Sequence, residues 1–228
     1  MKQLYIIVEG PTEEEFVKRI LIPYFTTKGL HTNIQPILIL MKGGGYGFNN
    51  MEHFGNTIKP IMYYRDEPII TTMIDHYGIN SEQKLKGYSN CKDKRNVEER
   101  IGCMEEALRA YVNTIKPYPN FIPNIIRHEF ETLLFSNPIE GFGLENDEII
   151  EAVTSVRAIF LSTEDINSTP EGAPSKRLEA IYQSNNEKYA KIVDGFNIAD
   201  LTGIEKILEE CPRFKAWVDL VIKRVLTS

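Results

Sequence analysis

Leu4-Tyr5-Ile6-Ile7-Val8-Glu9-Gly10-Pro11-Thr12-Glu13 decides the fold. Five apolar, β-favouring residues in a row, with no polar alternation, describe a strand buried on both faces, as found in the middle of a parallel sheet. Glu9-Gly10-Pro11 ends it. Thr12 followed by Glu15 has the form of a capping box, and Phe16, Val17, Ile20, Leu21 and Tyr24 recur at helical spacing behind it. A helix over about residues 12–26 is expected.

Downstream, Ile34 to Leu40 reads as a second strand, with Pro36 better suited to its beginning than its middle. Lys42-Gly43-Gly44-Gly45-Tyr46-Gly47 is too rich in glycine for regular structure. A helix over residues 50–65 precedes the third apolar run, Pro68-Ile69-Ile70-Thr71-Thr72-Met73-Ile74-Asp75, which ends in a carboxylate as the first run does. A helix over about 95–116 and a strand over about 121–127 extend the alternation. Strand, helix, strand, helix, strand predicts an α/β fold with a mostly parallel sheet, right-handed crossovers and flanking helices. Past Pro138 the composition shifts. Residues 140–171 hold eight acidic residues against Arg157 alone, and helical periodicity broken by Gly and Pro continues to the end. The expected organisation is an α/β domain over 1–138 and a helical C-terminal portion over 139–228. The last helix should begin near Pro212, a residue suited to a first helical turn.

Composition narrows the function. At 228 residues, with 42% hydrophobic and 25% charged residues, the chain is long enough for one large core and is neither disordered nor fibrous. A net charge of −6 supplies no global basic field, so a phosphate-bearing partner has to be held locally. Cys91, Cys103 and Cys211 are odd in number and lack a C-x-x-C pair, which argues against a disulfide framework and a zinc knuckle and for a reducing compartment. No signal-peptide core follows Met1, and no apolar run approaches the roughly 18 residues of a membrane span. A cytoplasmic protein without a membrane is expected.

In open parallel sheets ligands bind beyond the carboxyl ends of the strands. Glu9 and Asp75 end two such strands, and Glu13 follows in the first helical turn. Carboxylates converging there repel one another unless a cation lies among them, and all-oxygen ligation suits Mg²⁺ or Mn²⁺. The plainer alternatives are a turn residue at Glu9 and a favourable helix-dipole charge at Glu13. Gly43, Gly44 and Gly45 could cradle a phosphate with their N–H groups, next to Lys42, or form a flexible connection; no Walker A lysine follows them. Residues 84–100 carry a local excess of positive charge, including Lys92, Lys94 and Arg95, which is either a solvated face or a track for a phosphate backbone. Lys176 and Arg177 form a second basic point at an expected helix start. His128-Glu129 lacks the second histidine of a zincin helix, since Thr132 occupies that place.

Ile6-Ile7-Val8-Glu9-Gly10-Pro11-Thr12-Glu13 resembles the opening motif of Toprim domains, the metal-binding fold of topoisomerases, primases and nucleases of the overcoming-lysogenization-defect type. The ordered set Val8 to Glu13, Asp75-His76-Tyr77-Gly78, His128-Glu129-Phe130-Glu131 and Ala173-Pro174-Ser175-Lys176-Arg177 is similar to a bacterial family, domain of unknown function 4276, nearly end to end. The resemblance implies a Toprim-like, Rossmann-like sheet. It implies Glu9 and Asp75 as catalytic residues, and Glu9, Glu13 and Asp75 as ligands of Mg²⁺ or Mn²⁺. Tyr77 stands where the Toprim pattern has a second aspartate, and Glu129 or Glu131 is the candidate replacement by position. The activity implied is metal-dependent cleavage of DNA or RNA by a nuclease, since 228 residues leave no room for the further domains of a topoisomerase or primase. The alternative is a non-catalytic regulatory partner of an ATPase, because such proteins are similar to those encoded beside ATPases in bacterial mobile-element and phage-defence loci.

Overall fold

β1 (Leu4–Val8) is buried along its whole length and has a strand on each side. In the computed structural model, which describes residues 1–166 and 172–228, it pairs in parallel with β2 (Ile34–Leu38) on one side and with β3 (Ile69–Asp75) on the other. The sheet order is β2-β1-β3-β4, all parallel, with β4 (Phe121–Ile122) and β5 (Ile125–Ile126) both paired to β3. The protein is thus α/β, with a five-stranded parallel sheet, flanking helices and a helical C-terminal portion. Glu171, the last of the acidic run, lies outside the described residues.

The helix after β1 starts one residue earlier than its apolar spacing predicts. Pro11 occupies the first turn of α1 (Pro11–Phe16), where its fixed φ fits and its missing N–H costs nothing, and Gly10 is the cap. Thr12 therefore lies inside the helix, and the expected Thr12–Glu15 capping box does not form. The helix continues through a π-helical stretch (Val17–Leu21) into α2 (Ile22–Thr27). Pro36 sits in the middle of β2, not at its start, and is tolerated because β2 is an edge strand with one partner.

The single strand expected over 121–127 is split at Pro123. Pro123 has no N–H to give, and the Thr72 hydroxyl fills the gap, donating to Asn124 O (2.7 Å) and accepting from Asn124 N (2.8 Å). Thr71 likewise donates to Ile122 O (2.7 Å). Register is the same on both sides of the break: Ile70 faces Phe121 and Ile74 faces Ile125.

One face of the sheet, with Tyr5, Ile7, Ile70 and Ile74, packs into a core with α3 (Met51–Met62) and α5 (Val97–Ile115) through Phe54, Ile58, Met104 and Leu108. Asn50 and Asn96 cap these two helices by accepting from the N–H groups of His53 and Glu99. A short α4 (Tyr88–Cys91) precedes α5, and Cys91 is disulfide-bonded to Cys103 with a Cα–Cα distance of 5.5 Å. That pairing corrects the expectation of unpaired cysteines. The two residues are 12 apart in sequence but meet where α4 folds back on α5, which residue spacing alone does not reveal.

The chain forms two compact units, Met1–Arg127 with Asp219–Ser228, and His128–Val218. The second is organised around a buried 3-10 helix (Phe130–Ser136), with α6 (Pro138–Gly141), α7 (Asp147–Ala158), α8 (Pro174–Ser184), α9 (Lys191–Thr202) and α10 (Ile204–Glu210) against it or one another. α11 (Pro212–Leu226) starts at Pro212 as its sequence predicts and contributes residues to both units. Among the described residues no helix is long and apolar enough to cross a membrane.

Candidate functional site

Because β1 and β3 are adjacent and parallel, their carboxyl ends bring Glu9 and Asp75 to the same edge. Glu9 Oε2 accepts the Asp75 N–H at 3.1 Å, and Oε1 accepts the Phe48 N–H at 3.4 Å. Two glycines stand beside the carboxylate. A Cβ on Gly78 would lie 3.4 Å from Oε1, and one on Gly47 would lie 3.9 Å away. Asp75 itself is buried. Glu13 is 2% exposed in the first turn of α1, and its Oε2 reaches back over Gly10, where a Cβ would lie 3.1 Å away.

The glycine run delivers one of those N–H donors. Leu40 bridges Tyr46 antiparallel, Met41 N donates to Gly45 O and Gly44 N to Met41 O (both 3.1 Å), so the segment is a built turn. Gly43, Gly44 and Gly45 hold φ of 96°, 103° and 87°, a region open to glycine and strained for other residues. Gly47 N then donates to Ile39 O, which places Phe48 over Glu9. The Lys42 N–H lies 3.4 Å from His53 Nε2.

Among the described residues, no group of three or more His, Cys, Asp or Glu side chains is placed to hold one metal ion. The edge therefore offers Glu9 with Asp75, and Glu13 beside Gly10, without a closed cage. Tyr77 and His76, which follow Asp75 directly, line a cavity of about 300 Å³ together with Lys92 and Arg100. The basic stretch thus reaches the loop that follows Asp75 through Lys92 and Arg100; Lys94 and Arg95 are exposed and do not line it.

The family model of a domain of unknown function, DUF4276, matches residues 8–221. The chain belongs to the DUF4276 family. No curated protein and no solved structure matches it. The DUF4276 region includes Glu9, Glu13 and Asp75 and also the buried polar residues of the second unit.

In that unit, Glu129 Oε2 accepts the Ser175 N–H (3.0 Å) at the start of α8. Glu131 is fully buried in the 3-10 helix, with Lys191 Nζ 3.1 Å from Oε1. Burial pushes the Glu131 carboxyl above the ordinary carboxylate range, and the Lys191 ammonium offsets only part of that rise. His128 is buried at φ 71°, a rare conformation for a residue with a Cβ. In the first turn of α8, Lys176 pairs with Glu179 (2.6 Å), and Arg177 donates through Nε to Gly172 O (2.8 Å) and lies 5.5 Å over the Phe160 ring. The features of the DUF4276 chain that sequence reasoning missed are the Phe48 donor, the disulfide and the part of Tyr77, Tyr88 and Arg100 in the cavity. Of these, Arg100 was visible as part of the basic stretch, and the others depend on tertiary contacts.

Proposed function

We propose that this DUF4276 protein is a Toprim-like, metal-dependent phosphodiesterase acting on nucleic acid. The observation that carries it is the meeting of Glu9 and Asp75 at the carboxyl ends of neighbouring parallel strands, where such sheets bind ligands. Mg²⁺ is held through one or two carboxylates and keeps water and substrate phosphate in the rest of its shell, so acidic residues ending two neighbouring strands suit Mg²⁺ or Mn²⁺. Glu9 and Asp75 are the side chains that would hold the ion, with Glu13 beside them. A bound ion supplies charge neutralisation at the phosphate and lowers the pKa of an attacking water. Glu9 is fixed by two main-chain donors, so its carboxylate is already oriented at the strand end to bind or to take a proton.

The test is cleavage of single- and double-stranded DNA and RNA with Mg²⁺ or Mn²⁺, set against Glu9→Gln and Asp75→Asn. Each variant should cut at least about 10²-fold more slowly, the scale of a lost acid–base group. Equal cutting by all three proteins removes the activity from this site.

A second reading, a non-catalytic partner of an ATPase, is favoured by Tyr77, which lines a cavity where the Toprim pattern has a carboxylate. Co-purification with an ATPase, combined with no heat of Mn²⁺ binding, would select it. Mn²⁺ binding that is lost in Glu9→Gln would reject it.

A further inference from the structure

The cavity beyond Asp75 is distinct from the carboxylate edge and is built differently. Ile79 and Met104 are buried and form its apolar depth, while Tyr77 and Tyr88 are half-buried and supply aromatic surface. Lys92 is exposed and Arg100 half-buried, so cations stand at the mouth. None of the residues that line it is acidic, in a chain whose net charge is −6. Among the described residues neither Lys92 nor Arg100 is held in an ion pair, whereas Lys18, Lys116, Lys176 and Lys206 all are. An apolar, aromatic interior with uncommitted cations at the entrance is complementary to a flat ring attached to an anion.

Its walls are also covalently joined. Tyr88 and Lys92 come from α4 and the residue after it, Arg100 and Met104 come from α5, and the Cys91–Cys103 bond ties the two helices together. The fourth side is the loop after β3. Gly78 of that loop abuts Glu9, while His76, Tyr77, Ile79 and Asn80, which surround Gly78 in sequence, line the cavity. One loop of five residues therefore touches both the candidate carboxylate and the cavity.

We infer that this cavity is a nucleotide subsite, taking one unpaired base against Tyr77 and Tyr88 with its phosphate at Lys92 and Arg100. At about 300 Å³ it lies at the small end of ligand pockets, roughly 300–1,000 Å³, and accommodates a single base and not a pair. A base bound there has left its helix, so the substrate class is single-stranded nucleic acid, held by stacking and by backbone cations. The amide of Asn80 at the mouth can meet a base edge. The inference rests on the phosphodiesterase reading for placing the next phosphate of the strand toward Glu9, but binding in the cavity requires neither metal nor cleavage.

The experiment is calorimetry on the full chain in chelator, with a six-nucleotide single strand, the four nucleoside monophosphates and inorganic phosphate as probes. Wild type, Tyr88→Ala, Arg100→Gln and Glu9→Gln are compared after melting curves show each folded. The single strand should bind Glu9→Gln at least as tightly as wild type, since the variant loses a negative charge on the side the next phosphate approaches, and should bind Tyr88→Ala about ten-fold or more weakly, the scale of one lost base stack. Arg100→Gln should bind more weakly and with a shallower salt dependence, because one phosphate contact is gone. Unchanged binding by both cavity variants overturns the subsite, and so does the absence of any binding to wild type. Inorganic phosphate competing as well as the base-bearing probes reduces it to an anion site and overturns it. Monophosphates binding as tightly as the strand overturn the strand and leave a free nucleotide as the ligand. The two readings fail separately: loss of binding in Tyr88→Ala with cleavage indifferent to Glu9 rejects the phosphodiesterase and keeps the subsite.

Discussion

Glu9 in the first unit and Glu131 in the second are carboxylates of opposite construction. Glu9 is half-buried and faces main-chain N–H groups, from Asp75 at 3.1 Å and Phe48 at 3.4 Å, which arrive with the sheet and the glycine turn. Glu131 is fully buried and depends on the ammonium of Lys191, a side chain 48% exposed, 3.1 Å from Oε1. Fixed backbone dipoles do not rearrange when a ligand enters or leaves, so the first arrangement can carry a charge for use. A buried acid that waits on a long flexible cation instead burdens the fold, since desolvation is offset only in part. The first unit should therefore hold its carboxylate through local perturbation, and the second should register pH.

The largest expected effect tests how firmly the first unit is held. The Cys91–Cys103 bond closes a loop of 12-residue separation, for which chain entropy gives about 3 kcal/mol. Cys91→Ser with Cys103→Ser, or reductant on wild type, should lower stability by roughly 2–3 kcal/mol in denaturant melts and loosen the α4 side of the cavity. The third cysteine, Cys211, is fully buried, and burial raises its thiol pKa, so it should remain unreactive until the second unit opens. Fast labelling of Cys211 in the folded protein would break the contrast between the two units.

The next effect lies on Lys191. Removing the partner of a buried charge costs about 3–5 kcal/mol when the remaining charge cannot escape. Here Lys191 is half exposed and Glu131 can take up a proton, so Lys191→Met should cost less, about 1–2 kcal/mol at pH 8. The same substitution should cost little at pH 5, where Glu131 holds its proton more readily. Equal loss at both pH values, read from thermal melts, would mean that Lys191 acts by packing alone.

How much of this could be read beforehand follows from which interactions are local. β1 and β3 were legible because an unbroken apolar run has few other folded forms, and the position of Asp75 at the end of the strand came with it. The break at Pro123 was not, since the Thr72 hydroxyl that bridges it sits 51 or more residues away in sequence. Pro11 won over Thr12 at the helix start because a preset φ at the first helical position needs no side-chain cap. At the edge itself, Glu9 and Asp75 were visible as carboxylates ending strands, but the Phe48 donor depends on a turn closed by the Leu40–Tyr46 bridge. Tyr77 stood out as a missing carboxylate, while its part in a cavity needed α4 and α5 to be folded beside it.

Glu131 itself gives a smaller effect with a definite sign. Its pKa is raised in the folded protein by burial, so below the ordinary carboxylate value of 4.5 both states are protonated and nothing is lost. As pH rises past that value the unfolded chain ionises while the folded one resists, and stability falls until the folded group also ionises. Glu131→Gln removes this slope. The variant should match wild type near pH 4 and exceed it by about 1 kcal/mol at pH 8, the lower end of what replacing a buried ion pair yields. A variant less stable than wild type at pH 8 would show that the Lys191 pair outweighs desolvation and would remove the contrast with Glu9.

The smallest effect is expected at Glu9, and its pattern matters more than its size. In Glu9→Gln one oxygen remains to accept, and the better bond, from the Asp75 N–H at 3.1 Å, is the one it should keep. The amide NH₂ then faces the Phe48 N–H, whose bond at 3.4 Å was already at the long end of the range. Losing one weak bond at a half-exposed position costs about 0.5–1 kcal/mol, because water can replace the acceptor there. Hydrogen exchange gives the decisive readout: the Phe48 amide should exchange faster in the variant, while the Asp75 amide keeps its protection within the sheet edge. If Asp75 loses protection as well, the strand ends are held together by the carboxylate and not the reverse, and Glu9 is a structural clasp instead of a charge presented by a preformed edge.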